Sequence, residues 1–285
     1  MSELSDAEVS ALVNHVLPFS VVDGPGARSV IFLQGCNWRC LSCHNPHTIG
    51  TCTGCGICVQ LCPHSALRQE HDGLPPHYDP SLCSGCRSCV RGCPESSDPR
   101  AQSLTVGALL ERIRGFLPFI TGLTISGGEP SLQPAFLLAF ARALRADPQL
   151  GRLHLLIDSN GSAELELWRR LAPFIDGVCL DLKAVDEDHH QRLCGASSRQ
   201  PLAALAELGA LGTLHELRLL IIDHALPEVL AAARLLEQHA PSALLRLIPY
   251  REHPAPRPGL QPPAPEQLEV MRLAIEAMGL RCVVR

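Results

Sequence analysis

Residues 36–43 read Cys36-Asn-Trp-Arg-Cys40-Leu-Ser-Cys43, so three cysteines lie on one short loop. Each thiolate can bind one iron of a cubane [4Fe–4S] cluster, which leaves the fourth iron without a protein ligand nearby in the sequence. Such an iron can bind a substrate or cofactor directly, as the open position of a catalytic metal site does. Zinc is the alternative, but zinc loops pair two C-x2-C elements, and none completes this triplet.

A second cysteine pattern occurs twice between residues 48 and 100, with the second copy 31 positions after the first. Each copy is the bacterial ferredoxin run C-x2-C-x2-C-x3-C-P, in which the fourth cysteine ligates the cluster of the other copy. The run therefore predicts two further [4Fe–4S] clusters, one on Cys52, Cys55, Cys58 and Cys93 and one on Cys62, Cys83, Cys86 and Cys89. Two zinc ribbons, or a cluster with only a structural role, are the alternatives. A segment with so few large apolar side chains depends on such clusters to fold.

The composition limits the class of protein. The chain has 285 residues, a formal net charge of −5 and 14 cysteines. No apolar run reaches the roughly 18 residues of a membrane-spanning helix, and the acidic, polar residues 1–10 do not resemble a signal peptide. Many cysteines in such a chain favour thiolate ligands in a reducing cytosol over disulfides. Because no basic run is present either, we expect a cytoplasmic protein that binds neither membrane nor nucleic acid.

Outside residues 48–100, short apolar runs alternate with helical patterns. After a leader at residues 1–28, these runs predict six strands, at 29–33, 123–126, 153–157, 178–180, 216–222 and 243–248, and a proline-rich loop follows at 254–265. Alternating strands and helices form a parallel sheet. Because eight such units close a barrel in about 250 residues, six units predict an α/β fold that is an open partial (β/α)6 barrel. We assign residues 1–47 and 101–285 to this barrel and residues 48–100 to an inserted two-[4Fe–4S] ferredoxin-like domain.

Polar motifs follow the predicted strands where each strand ends. They are Gly127-Gly128-Glu129, Asp158-Ser159, Asp181-Leu-Lys183 and, after the last strand, Arg251. In a parallel barrel these ends converge on the face that carries the chemistry. Taken singly, each motif also has an ordinary explanation as a glycine turn, a helix cap or a solvated charge.

The remaining cysteines and a histidine pair are predicted to lie outside the site. Cys179, Cys194 and Cys282 have apolar neighbours in sequence, which is typical of buried thiols that act as small apolar side chains. His189 and His190 fall on a charged helix and are predicted to be solvated.

The cysteine loop resembles the signature of the radical S-adenosylmethionine (SAM) enzymes, C-x3-C-x-φ-C, with Ser42 at the position φ that is usually aromatic. Residues 22–36 before it contain Asp-Gly-Pro-Gly-x-Arg and Gln-Gly-Cys, and His44-Asn-Pro follows it. These stretches resemble the opening of the glycyl-radical-enzyme activating enzymes. The doubled ferredoxin run and the continuation Asn-Pro-His-Thr-Ile-Gly are most similar to the YjjW-type activases.

The resemblance implies a set of SAM contacts at the matching positions. SAM would bind the open iron held by the catalytic triplet. The backbone of Ser42 and His44 would contact the adenine, and Gly127, Gly128 and Glu129 would contact the methionine amino group.

The residues that follow the later strands would contact the methionine carboxylate and the ribose of SAM. Asp158, Ser159 and Asp181 would hold a monovalent cation near the methionine carboxylate. Lys183 would pair with the carboxylate or the ribose region. Arg251 stands where the family commonly has histidine after tyrosine, and it would place a guanidinium on the carboxylate.

The function implied is the activation of a partner glycyl radical enzyme, an oxidoreductase reaction carried out in the absence of oxygen. Reductive cleavage of SAM would give a 5′-deoxyadenosyl radical that removes a hydrogen from a glycine Cα of the partner. A low-potential donor such as flavodoxin or ferredoxin would supply the electron through the insert. The alternatives are a radical SAM enzyme that acts on a different peptide or small molecule, and a ferredoxin-like electron-transfer protein.

Overall fold

The computed structural model describes residues 5–222, 225–252 and 260–284, so residues 254–259 of the predicted proline-rich loop lie outside it. The described residues divide into two compact units. The first contains the residues up to Asn37 together with His44–Leu153, and the second contains Trp38–Cys43 together with the residues from His154 onward. None of the helices in these ranges is long and apolar enough to cross a membrane.

The first unit is a mixed sheet with helices and the cysteine-rich insert. In chain order it contains β1 (Ser10–Ser20), β2 (Arg28–Leu33), α1 (Ile57–Gln60), β3 (Leu67–Arg68), β4 (His77–Tyr78), α2 (Ser88–Arg91), β5 (Gln102–Thr105), α3 (Val106–Arg114), β6 (Gly122–Gly127) and α4 (Pro134–Ala146). Its larger sheet has the order β5-β1-β2-β6. Strand β1 is antiparallel to both β2 and β5, whereas β2 and β6 are parallel.

The leader at residues 1–28 contains a strand that the sequence analysis did not predict, because β1 occupies Ser10–Ser20. Val13 and Val16 of β1 are buried, and Asn14 Nδ2 donates to Gln34 Oε1 over 2.7 Å. Polar residues and Pro18 interrupt the period-two pattern of this strand, so its sequence signal is weak. The strand covers the edge of β2 that faces away from β6 and thereby fixes the strand that leads into the cysteine loop.

Strand β2 is buried along its whole length, as the apolar sequence predicts. The first residue of the strand, Arg28, is fully buried and uses its guanidinium to tie the preceding turn to β6. Its Nε donates to Thr124 Oγ1 over 2.7 Å and its Nη1 donates to the carbonyl of Pro25 over 3.2 Å. The arginine that follows the Gly-Pro-Gly turn is therefore a structural residue that sets where β2 begins.

The insert is a small pseudo-symmetric pair of motifs. Helices α1 and α2 occupy equivalent positions in the two copies of the cysteine run, and β3 pairs antiparallel with β4. The small core contains Cys58, Leu67 and Cys89. An isolated antiparallel bridge between Thr48 and Ser97 brings the two ends of the insert together. The segment thus leaves the sheet and returns at nearly the same point.

The second unit is a parallel sheet with helical crossovers. It contains β7 (His154–Ser159), α5 (Leu165–Leu171), β8 (Gly177–Leu182), α6 (Glu187–Cys194), α7 (Arg199–Ala210), β9 (Leu214–Ile221), α8 (Leu226–His239), β10 (Leu244–Pro249), α9 (Pro265–Ala277) and β11 (Arg281–Val284). The strands are parallel in the order β7-β8-β9-β10-β11. All six strands predicted for the barrel are present in the two units, with bounds shifted by one or two residues.

Register places charged residues of the second unit side by side on neighbouring strands. Asp181 of β8 pairs with Arg218 of β9, which pairs with Arg246 of β10. Alternate residues such as Leu180 and Leu217 are fully buried, because successive side chains of a strand point to opposite faces. One face of this sheet is therefore a packed core and the other carries a polar cluster.

Candidate active site

In the first unit, the start of the cysteine loop is fixed by backbone hydrogen bonds. The amide of Gly35 donates to the carbonyl of Thr48 over 2.8 Å, and the amide of Cys36 donates to the carbonyl of Ile49 over 2.8 Å. The carbonyl of Gly35 accepts the amide of Glu129, also at 2.8 Å. The chain around Cys36 is thus held on both sides, with the start of the insert on one side and the Gly-Gly-Glu motif on the other.

The two glycines of the Gly-Gly-Glu motif are required by close backbone packing, in addition to their predicted role in binding SAM. Gly127 has a φ of +123°, and a Cβ there would overlap the backbone of Leu33. A Cβ on Gly128 would overlap the carbonyl of Gly35 and lie 2.7 Å from the carbonyl oxygen of Thr48. The Glu129 carboxylate is buried and accepts the amide of Ser131 over 3.0 Å, which caps the short turn of helix at Pro130–Leu132.

In the second unit, the middle of the cysteine loop is tied to the end of α6. The amide of Arg39 donates to the carbonyl of Cys194 over 3.1 Å, and that of Leu41 donates to the carbonyl of Leu193 over 2.8 Å. These are carbonyls of the last turn of α6, which have no partner inside the helix. The helix end thus supplies the acceptors that hold the loop around Cys40.

Side chains reinforce this attachment. Trp38 is buried with its ring edge-on to His190, at a centroid distance of 5.0 Å. His190 is fully buried, and its Nδ1 lies 2.8 Å from the carbonyl oxygen of Ala196 and 3.1 Å from Cys194 Sγ. The prediction that His190 is solvated is therefore wrong. Burial lowers the pKa of His190, so the imidazole is neutral at physiological pH.

Cys194 is buried as predicted, but it also contacts the cysteine loop. Its thiol interacts with that of Cys40, and this interaction lowers the pKa of Cys40 and raises that of Cys194. Cys40 is the group that carries the negative charge in this pair, as a cluster ligand must. Cys179 is buried too, whereas Cys282 is only partly buried.

Lys183 faces the same loop. Its Nζ lies 2.7 Å from Asp181 Oδ2, and its side chain is 19% exposed. Burial alone would lower the pKa of Lys183, but the charges of Asp181, Cys40 and Cys43 outweigh it and raise the pKa. The lysine is therefore charged at physiological pH and lies in the field of two cysteines of the triplet.

A charged cluster on β7, β9 and β10 was missed by the sequence analysis. Arg218 Nη1 lies 3.1 Å from Asp158 Oδ1, and its Nε contacts Glu216. Arg246 also contacts Glu216, at 2.9 Å. Burial alone would lower the pKa of Arg218, but Asp158 outweighs it, so the pKa is raised well above its usual range. The sequence signal was a charged residue at alternate positions in an otherwise apolar strand, Glu216 and Arg218.

The other predicted contacts lie in varied surroundings. Ser159 is buried, and its Oγ accepts the amide of Gly161 over 3.0 Å. Ser42 is partly buried, whereas His44 and Arg251 are exposed. The roles of these residues toward SAM stay predictions.

The eight cysteines of the insert line two separate cavities. Cys52, Cys55, Cys58 and Cys93 line one, and Cys62, Cys83, Cys86 and Cys89 line the other. Each set contains three cysteines of one copy and the fourth of the other. Within the described ranges, no three Cys, His, Asp or Glu side chains converge as ligands of one metal ion. A cubane differs from a single ion in that each cysteine binds a different iron.

Polar groups donate to the sulfurs of these cysteines. The amides of Gly54 and Gly85 donate to Cys52 Sγ and Cys83 Sγ over 3.4 Å in both copies. Tyr78 also hydrogen-bonds to Cys83, which raises the pKa of Tyr78 to about 12 and lowers that of Cys83. Hydrogen bonds of this type stabilise thiolate ligands and tune the potential of a cluster.

Comparison with known proteins identifies the class of protein to which the chain belongs. The family model described as the radical SAM superfamily matches residues 30–225. The isethionate sulfite-lyase activating enzyme of Nitratidesulfovibrio vulgaris is 31% identical over 74% of this chain and 73% of its own length. The indoleacetate decarboxylase activating enzyme of Tractidigestivibacter scatoligenes is 26% identical over 98% of both chains.

A solved structure gives the fold. Streptococcus suis SuiB bound to the precursor peptide SuiA matches 90% of this chain and 48% of its own with a TM-score of 0.53 and 12% identity. The likeness shows an α/β partial barrel of the radical SAM type. The chain belongs to the radical SAM superfamily, and within it to the activating enzymes of glycyl radical enzymes. Membership implies a [4Fe–4S] cluster and SAM as cofactors.

Proposed function

We propose that this chain activates a partner glycyl radical enzyme, by reductive cleavage of SAM and removal of a hydrogen atom from a glycine Cα of the partner. The observation that carries the proposal is the position of Lys183 and the end of α6 beside Cys40. Together with the family match, it gives a cysteine loop that is rigidly held and has a fixed positive charge facing it. An electron carrier alone would need neither feature.

The residues present fit the cluster that the family implies. The loop supplies three thiol ligands, Cys36, Cys40 and Cys43, and the Cys194 thiol favours the thiolate form of Cys40. When bound, the cluster supplies the electron that splits the sulfonium of SAM. The protein's part is to hold the loop, orient SAM and exclude water.

Within the second unit, Lys183 is the residue best placed to bind the SAM carboxylate. Asp181 orients the ammonium, and the raised pKa keeps it charged. Asp158 and Asp181 already contact a guanidinium and an ammonium, so a monovalent cation is not needed to balance their charge. The cation stays a prediction, and Arg218 joins Arg251 as a candidate for the anionic end of SAM.

We further propose that the insert holds two [4Fe–4S] clusters, three in the whole chain, and relays electrons from a low-potential donor such as flavodoxin or ferredoxin. The two cavities support this, because each contains the crossed set of cysteines that the ferredoxin run predicts. We assign the reaction to the cytoplasm, where cysteines stay reduced. The curated relatives are named after different partners, so the partner of this chain has to be found by experiment.

Electron paramagnetic resonance tests the reaction directly. Anaerobic incubation with the partner glycyl radical enzyme, SAM and a reductant should give a glycine-centred doublet. Replacement of Cys36, Cys40 and Cys43 by alanine should reduce the iron content from about 12 to about 8 per chain and abolish SAM cleavage. Cys282→Ala, outside every ligand run, should retain both. Survival of SAM cleavage in the triple variant would refute the catalytic assignment.

A further inference from the structure

The two copies of the ferredoxin run allow equivalent positions to be compared within one chain. The backbone conformation is similar in both copies. The residue before each short helix is in the left-handed region, with a φ of 74° at Gly56 and 60° at Arg87. The charges differ, since three neutral residues of the first copy are arginines in the second. The pairs are Gly56 and Arg87, Gln60 and Arg91, and Gln69 and Arg100.

These arginines surround the cavity of Cys62, Cys83, Cys86 and Cys89, here called the second cavity. Arg87 and Arg100 line it directly. Arg91 Nη2 lies 3.4 Å from Ser88 Oγ, and that hydroxyl lies 3.5 Å from Cys86 Sγ. The first cavity, lined by Cys52, Cys55, Cys58 and Cys93, instead has Glu95 at its edge.

The second cavity also reaches the surface. Cys86 is exposed, and so are Arg87 and Arg91 beside it. Arg100 is different, because its guanidinium is engaged by the buried Asp98 at 2.8 and 2.6 Å. Arg87 and Arg91 are therefore the cations that this edge presents to solvent, next to a cysteine sulfur.

The first cavity lies on the side of the catalytic loop. Cys52 follows Ile49 by three residues, and the carbonyl of Ile49 accepts the amide of Cys36 at 2.8 Å. Within the first unit, this bond connects the segment that leads into the first cavity to Cys36. The cysteines of the second cavity, Cys62, Cys83, Cys86 and Cys89, come later in the chain.

We propose that Arg87 and Arg91 form the docking site of an acidic one-electron carrier protein, which reduces the cluster of the second cavity. The proposal rests on the two insert clusters of the proposed function. The carrier loses one electron and the cluster gains it, so that no bond forms or breaks and no proton moves. The electron then passes to the first cavity and toward Cys36.

The complementary charges of the carrier and of this edge predict how the rate of their association depends on salt. Opposite charges on two proteins steer their association, and salt screens this attraction over a Debye length of about 30 Å at 0.01 M and about 3 Å at 1 M ionic strength. Association of an acidic carrier with this edge should thus be fast at low salt and slow at high salt.

The test converts the second copy to the residues of the first, with the double variant Arg87→Gly/Arg91→Gln. Glycine suits the left-handed backbone at position 87, so the fold is retained. The probe is an acidic flavodoxin: its oxidised form is titrated to measure affinity, and its reduced form is mixed in stopped flow to measure cluster reduction. Arg112→Gln/Arg170→Gln removes the same charge from exposed helix positions elsewhere and is the control.

The double variant should bind flavodoxin at least about tenfold more weakly at low salt and lose most of its salt dependence, whereas the control should match the wild type. Equal affinity in all three proteins, each with about 12 irons, would overturn the docking site and leave the proposed function intact. Reduction by methyl viologen radical, a small cation, should not slow down; if it did, the arginines would act on the cluster and not on docking. About four irons in the wild type would refute the insert clusters and this proposal together.

Discussion

Lys183 Nζ lies 2.7 Å from Asp181 Oδ2, and the same ammonium lies in the field of Cys40 and Cys43. The strand end that carries Asp181 thus presents a cation to the cysteine loop of its own unit. Because the lysine is only 19% exposed, its charge is weakly screened and its attraction for a carboxylate is strong. A single side chain therefore links the acidic strand end to the loop.

Lys183→Met should weaken SAM binding to the cluster-loaded protein by about ten- to a hundredfold, because a hydrogen bond to a charged group contributes about 1.5–3 kcal/mol. Equilibrium binding of SAM under anaerobic conditions measures this. Lys183→Arg keeps the charge and should retain most of the affinity. Unchanged affinity in the methionine variant would exclude a contact between Lys183 and SAM.

Gly128→Ala should abolish SAM cleavage, because the new Cβ would overlap the carbonyl of Gly35, next to Cys36. Backbone on both sides must move, which displaces the ligand itself. Gly115→Ala is the control, since its Cβ would lie 3.4 Å from the carbonyl oxygen of Arg112, an ordinary contact. SAM cleavage and iron content should stay normal in that variant. An active Gly128→Ala enzyme would show that the loop is not packed as described.

Cys194→Ala should disturb the cluster of the catalytic loop, because it removes the thiol whose interaction with Cys40 lowers the pKa of Cys40. We expect a shifted electron paramagnetic resonance spectrum of the reduced cluster and faster iron loss to a chelator. Cys194→Ser keeps a donor and should be closer to the wild type. If alanine and serine behaved alike, the thiol would only fill space.

The crossed assignment of the insert cysteines can be tested by counting iron. Cys52→Ala/Cys55→Ala/Cys58→Ala should remove one cluster and leave about 8 irons. Adding Cys93→Ala should cause no further loss, because that cysteine serves the same cavity. Adding Cys62→Ala should instead impair the second cluster and lower the count toward about 4. The reverse result would mean that each copy binds its own cluster.

Glu216 should make the second unit sensitive to acid. Burial alone would raise the pKa of Glu216, which is 2% exposed, but Arg218 and Arg246 outweigh it and hold the pKa below the usual 4.5. A lowered folded-state pKa gives stability that is present above pH 4.5 and is lost as the pH falls through the folded value. Glu216→Gln should cost about 3 kcal/mol near neutral pH, and the cost should shrink at lower pH.

Denaturant unfolding followed by tryptophan fluorescence measures this dependence, since the fully buried Trp168 belongs to the same unit. Leu217→Ile, at the neighbouring core position, is a control that should shift stability equally at every pH. A constant difference between wild type and Glu216→Gln from pH 7 to pH 4 would contradict the assigned pKa direction.

The parallel strands were readable from the sequence because they contain buried apolar runs, such as Leu155–Ile157 of β7, in which successive residues on both faces are buried. The cysteine spacing predicts two crossed ligand sets, and the four cysteines of each set line one cavity of the insert, whereas their binding of clusters stays a prediction. Strand β1 was missed because its pairing with β2 depends on tertiary contacts such as Asn14 with Gln34, which no local pattern reports.

The groups that surround the site were harder to predict than the motifs within it. His190 looked solvated because its sequence neighbours are charged, yet it packs edge-on to Trp38, far away in sequence. Cys194 was correctly predicted to be buried, but its interaction with Cys40 could not be foreseen without knowing where α6 ends. Arg218 belongs to no motif of the sequence analysis, and only the strand register places it beside Asp181.

The bridge between Thr48 and Ser97 has an evolutionary consequence. Because Gly50 also bonds to Ser96, the residues between Gly50 and Ser96 could be replaced by a tight turn that keeps the Ile49 carbonyl on the amide of Cys36. In this sense the insert is a separable segment, which a single insertion or deletion could add or remove. An engineered chain with a short hairpin after Gly50 would show how much of the radical chemistry needs it.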